Sequence, residues 1–176
     1  MKSIVTIDPS DLRCPFSALR NVSMPIQKID SNVISIIEEL RSRLRSIPYA
    51  AGLSAVQIGI PLQVAIVNLI GAGDTEILLI NPHIIRISGR VTERSEGCIS
   101  LPHYKGQVSR RNKIVIETTT LEGSRILLAS NGYQSAVIQH ELDHMSGLFY
   151  WDRMKDGKVP MPLITQLESK YEKSEL

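Results

Sequence analysis

Cysteine is almost absent from this chain: there are two in 176 residues, Cys14 and Cys98, too few for the disulfide framework of a small secreted domain. Cys14 has no metal-type neighbours and reads as a free thiol. No stretch approaches the roughly 20 apolar residues of a membrane span, and the opening MKSIVTIDPSDLR has no apolar run of signal-peptide length. The expectation is a cytoplasmic protein with no membrane partner. Neither sign of charge dominates, because 20 Lys and Arg against 18 Asp and Glu leave a formal +2; that excess is too small to point to specific nucleic-acid recognition. The short basic runs Arg41–Arg45 and Arg110–Lys113 read as solvated helix faces. Repeats, low-complexity segments and linkers are also missing.

The remaining composition, 43% hydrophobic and 22% charged, is that of an ordinary globular protein. At this length one domain, residues 1–176, buries roughly 70% of the surface its unfolded chain exposes. Val33, Ile36, Ile37, Leu40 and Leu44 recur at helical spacing, so residues 32–47 are expected to form an amphipathic helix, with Asp30 or Ser31 as N-cap and Pro48 past its end. Short β-type runs follow at 63–69, 76–80, 84–88 and 113–119. Leu121-Glu122-Gly123 separates the last of them from another at 124–129 and predicts an antiparallel hairpin. Helical spacing returns over Tyr133–Met145, capped by Asn131, and again from Met161 to about Lys173. The expected fold class is α+β: antiparallel sheets packed around a motif-bearing central helix, with an N-terminal amphipathic helix and a C-terminal helix.

The chemistry is concentrated in Gln139-His140-Glu141-Leu142-Asp143-His144. Its H-E-x-x-H pattern on a helix puts two imidazoles one turn apart on the same face, within reach of one metal ion, with a glutamate beside them to move a proton. Val137 and Ile138 precede the motif and argue for a buried helix, where unpaired histidine and glutamate would be costly. A catalytic site of this type needs a third protein ligand and an open position for water. A third histidine three residues past Gly147 is excluded, since Tyr150 stands there. Glu168 lies in a polar stretch near the end. Cys98, in Glu96-Gly97-Cys98-Ile99-Ser100-Leu101-Pro102, is the better candidate, because thiolate is a strong ligand for such metals and Gly97 would allow an unusual backbone turn.

Three segments, Gly52-Leu53-Ser54-Ala55-Val56-Gln57-Ile58-Gly59, Glu96 to Ser100 and Gln139 to His144, occur in the order and approximate spacing of the motifs of peptide deformylases, and the chain resembles that family from about Asp11 to Arg153. The resemblance implies removal of the N-formyl group from the formyl-methionine end of newly made polypeptides, with release of formate. It implies Cys98, His140 and His144 as ligands of one divalent metal, Fe(II) in cells with Zn, Ni or Co possible in isolated protein. Glu141 becomes the general base and acid, and the Gln57 side chain and the Ile99 N–H become donors to the developing oxyanion.

Ala51, Gly52, Tyr133, Ala136 and Val137 are expected to wall the methionine pocket. Glu96, Arg110 and Asp143 are expected to brace the ligands: Arg110 by pairing with Glu96, Asp143 by fixing an imidazole or the helix end. A ribosome contact through the C-terminal helix, with Lys170 and Lys173, is a further candidate. The chain departs from the family pattern at Ala50, Ser54 and Val56, and carries Arg94 and Tyr133 where aliphatic residues are more usual at the pocket. These departures leave open a deformylase-like hydrolase acting on another N-formyl or N-acyl compound, or a non-catalytic metal-binding homologue.

Overall fold

A computed structural model describes residues 2–8, 18–68, 76–155 and 161–162. Helix α1 (Ser31–Arg45) starts where the Asp30 carboxylate accepts hydrogen bonds from the N–H groups of Asn32 and Val33, both at 3.1 Å. It thus begins and ends slightly earlier than its apolar spacing suggested. Its stripe of Val33, Ile37, Leu40 and Leu44 is buried against a three-stranded antiparallel sheet of β1 (Gly52–Ser54), β2 (Val64–Asn68) and β3 (Glu76–Ile80). Strand β2 is covered on both faces: Val64 and Ile66 join the α1 cluster, while Ala65 and Val67 face a second cluster with Ile114, Ile116 and Ile138. Each such fully buried aliphatic side chain contributes about 1.5–3 kcal/mol relative to exposure.

The second sheet is dominated by two long strands, β4 (His83–Cys98) and β5 (Leu101–Thr119), joined through Ile99 and Ser100. β6 (Arg125–Asn131) adds to β5 through the Leu121–Gly123 turn, and β7 (Met161–Pro162) pairs with β5 at Tyr104 and Lys105. The sequence pattern showed only fragments of this hairpin, because register shifts near Ile84, Ser88 and Gly97 interrupt the alternation of faces. Gly89, at φ 74°, sits at one of these irregularities. Among the described residues the fold is α+β with antiparallel sheets and two α-helices.

Helix α2 (Gly132–Met145) contacts β1 and β2 of the first sheet as well as β5 and β6 of the second. Asn131 holds its N-cap position without a side-chain capping bond. The expected C-terminal helix is not seen where it should begin, since Met161–Pro162 is strand; the rest of it, with Lys170, Lys173 and the rejected ligand Glu168, lies outside the described residues, as does Cys14. Arg110 is 6% exposed and sits in β5, so the second basic run is not a solvated helix face. Among the described residues no helix is long and apolar enough to cross a membrane.

Candidate metal centre and active site

His140, Glu141 and His144 lie on α2, and Cys98 ends β4 at the tight connection to β5. The connection brings the sulfur over the helix: Cys98 Sγ lies 3.2 Å from His144 Nε2, and one donor atom from each of Cys98, His140 and His144 falls within 4.8 Å of the others. Gly97 does not adopt positive φ, contrary to the expected special turn. It allows close approach, since a Cβ there would lie 3.2 Å from the Tyr104 carbonyl oxygen, a tight contact.

The candidate ligands are not braced alike: His144 Nδ1 has no hydrogen-bond partner among the described residues, whereas His140 is held from behind. Glu96, two residues before Cys98, has its Oε2 3.1 Å from His140 Nδ1, so the imidazole can donate there and keep its opposite nitrogen for a metal. Arg110 donates to both Glu96 oxygens, at 2.5 and 2.8 Å, and to Asp143 Oδ2 at 2.8 Å. Arg153, which the sequence reading did not single out, closes the chain by donating to Asp143 Oδ1 at 2.7 Å. Asp143 therefore binds two arginines, not an imidazole. Tyr150 stacks on His140 at 6.1 Å, and Phe149 meets His144 edge-on at 5.8 Å.

Electrostatics suit a cation at this point. Burial alone would raise the Cys98 thiol, but the two imidazoles outweigh it and hold the group well below its ordinary value, as thiolate. Burial opposes ionisation of Glu96 too, yet Arg110 and His140 draw it down to about 2. His140 is pushed up to about 10 despite its burial, because the thiolate and Glu96 favour positive charge there. A centre that draws a proton onto an imidazole is one where positive charge is stabilised, and one sulfur with two nitrogens is a donor set for a divalent transition metal. Glu141, 3% exposed, has its proton affinity raised by burial, and its Oε2 has no hydrogen-bond partner among the described residues. An unsatisfied buried carboxylate oxygen beside three converging donors is what a missing ligand explains.

The same residues open onto a cavity of about 470 Å³, lined by Gln57, Cys98, Ile99, His140 and Glu141 at its floor. Ala51, Gly52, Tyr133, Ala136 and Val137 all line it, as does Arg94. Gly52 is there for space: a Cβ at that position would overlap Glu141 Oε1. Ser54, whose hydroxyl had no evident partner in the sequence, is fully buried and donates to Gln57 Oε1 at 3.1 Å, while its N–H donates to the same oxygen at 3.0 Å. The Gln57 amide nitrogen is thereby turned toward Cys98 Sγ, at 3.4 Å, and Ser100 Oγ, at 3.2 Å.

Residues 2–159 match the family model described as polypeptide deformylase. The chain is 30% identical over 159 residues to a peptide deformylase of Buchnera aphidicola, covering 90% of this chain and 88% of that one. It is 28% identical over 149 residues to that of Agrobacterium fabrum, covering 84% and 87%. The crystal structure of peptide deformylase from Thermotoga maritima superposes with a TM-score of 0.77 at 28% identity, covering 88% of this chain and 98% of that chain. These matches do not favour a hydrolase for another acyl compound or a non-catalytic homologue. The chain belongs to the peptide deformylase family, the metal-dependent hydrolases that remove the N-formyl group from newly made polypeptides.

Proposed function

We propose that the whole chain, residues 1–176, is one catalytic domain working in the cytoplasm on nascent formyl-methionine peptides, with Cys98, His140 and His144 as ligands of one divalent cation. Convergence of the three donor atoms within 4.8 Å, beside a buried carboxylate, carries the reading. When bound, the cation supplies Lewis acidity and makes a coordinated water a better nucleophile near neutral pH. The ligand set also accommodates Zn, Ni or Co; Fe(II) is assigned in cells on the family resemblance.

Glu141 takes a proton from the attacking water at its carboxylate, whose proton affinity burial has raised. Oxygen bonds to the formyl carbon, the carbon–nitrogen bond breaks, and Glu141 returns the proton to the departing amine. The Gln57 amide N–H and the backbone N–H of Ile99 donate to the oxyanion that develops between these steps; such donors are worth about 3–4 kcal/mol in related chemistry. Ser54 supports this role by occupying the Gln57 oxygen, so that the amide presents its hydrogens to the site. Ala51, Gly52, Tyr133, Ala136 and Val137 wall the space for the methionine side chain. Glu96, Arg110 and Asp143 brace the ligands without touching substrate.

Anaerobic purification, elemental analysis and formate release from a formyl-Met tripeptide test the assignment. The expected result is one divalent metal per chain, with Glu141→Ala keeping the metal and losing turnover. Undiminished formate release by that variant, or wild-type protein that binds no metal, overturns it.

A further inference from the structure

The reading above leaves one charged group of the cavity without a task. Arg94 lies on β4, partly buried, and lines the cavity that contains Cys98 and Glu141. It makes no hydrogen bond or ion pair among the described residues. The two carboxylates in the cavity lining are both committed elsewhere: Glu96 has each oxygen taken by Arg110 and also accepts from His140, and Glu141 is buried at the floor. A second cationic residue, Lys105, lies along the same wall. Among the described residues, no carboxylate of the cavity lining is available to neutralise Arg94.

A partly desolvated guanidinium facing a ligand cavity favours an anionic or bidentate acceptor. We propose that Arg94 is a specificity-determining residue that selects formylated peptides carrying an acidic side chain within their first three residues. This deepens the deformylase reading and rests on it. The reach follows from strand geometry. Arg94 and Glu96 alternate onto one face of β4, both line the cavity together with Cys98, and four residues of strand span about 13 Å. A substrate extended from the floor beside Cys98 advances about 3.3 Å per residue, so three residues carry it about 10 Å and the long Arg94 side chain spans the remaining few ångströms. Tyr49 and Tyr133, 78% and 57% exposed, stand at the same cavity and can cover the apolar part of that stretch.

The test uses metal-loaded enzyme and a set of formyl-Met tetrapeptides in which Glu, or Gln as the neutral match, occupies position two or three. The expected result is a Glu peptide favoured over its Gln match by about tenfold in kcat/KM, carried mainly by KM and diminished by added salt. Arg94→Leu brings that ratio to about one, and Arg94→Lys restores part of it. The same Glu-to-Gln ratio in dissociation constants is read on metal-loaded Glu141→Ala, which reports the preference without hydrolysis. A ratio of one at both positions in wild type, or a ratio that survives in Arg94→Leu, overturns the proposal. Absence of formate from every peptide overturns the deformylase reading instead, while the binding ratios still decide for or against Arg94.

Discussion

Gln57 Oε1 accepts two hydrogen bonds from Ser54, one from its N–H at 3.0 Å and one from its hydroxyl at 3.1 Å. An amide side chain can be placed either way round, and this pairing decides that the NH₂ end faces Cys98. The donor end of Gln57, proposed above to hold the developing oxyanion, is thus preorganised by a residue that lies three positions away and does not line the cavity.

Ser54→Ala removes one of the two bonds. A neutral hydrogen bond contributes about 1 kcal/mol net, so kcat is expected to fall by roughly fivefold, with metal content unchanged and KM little affected. Steady-state kinetics alongside elemental analysis checks this; an unchanged kcat would mean that the backbone N–H alone orients the amide.

Gly52→Ala places a methyl group where Glu141 Oε1 lies. Backbone and carboxylate cannot both stay, and a displacement on the order of 1 Å at a catalytic group costs about a hundredfold in rate. The expected phenotype is a loss of kcat of that size in a folded, metal-bearing protein. Circular dichroism, metal analysis and formate release separate it from simple unfolding.

Arg110→Ala strands Glu96 and Asp143, whose side chains are 10% and 8% exposed, without their shared cation. Removing one partner of a buried ion pair costs about 3–5 kcal/mol, and loss of an orienting group typically weakens metal affinity by about 10- to 100-fold. Urea unfolding and chelator competition measure the two effects. Arg153→Ala, whose side chain is 49% exposed, is expected to cost less than about 1 kcal/mol in the same assays.

Removal of the metal by chelator is expected to abolish formate release and to lower the melting temperature, because a ligand that binds only the native state stabilises it by mass action, about 2.7 kcal/mol at a hundredfold excess over its dissociation constant. Activity should return on adding Fe(II) or a substitute divalent ion. His140→Ala and Cys98→Ser should flatten the dependence of melting temperature on added metal, and an undiminished dependence in both would place the ion elsewhere.

The elements legible in the sequence were those with local periodicity. Helix α1 was readable from one apolar stripe and its cap, β3 from its own run and turn, and the β5–β6 hairpin from its glycine turn. The length of β4 and β5 was not, because much of their surface is exposed and polar and three register shifts break the two-residue alternation. In the site, His140, Glu141 and His144 could be grouped because four residues make about one helical turn. Arg153 escaped notice because its partner is a side chain ten positions away whose own direction was unknown, and Ser54 because a buried serine announces its hydrogen-bond partner only in three dimensions.

Residue spacing by itself determined that two imidazoles and a carboxylate share one helix face, since the period of the α-helix is a property of the backbone. The tertiary structure alone decided that Cys98 Sγ comes within 3.2 Å of His144 Nε2 and that one buried arginine ties Glu96 to Asp143. Those relations span 14 to 46 positions along the chain for Arg110 with Glu96 and Cys98 with His144. They depend on how two sheets close around α2, a geometry carried by packing across the fold and by no local stretch of sequence.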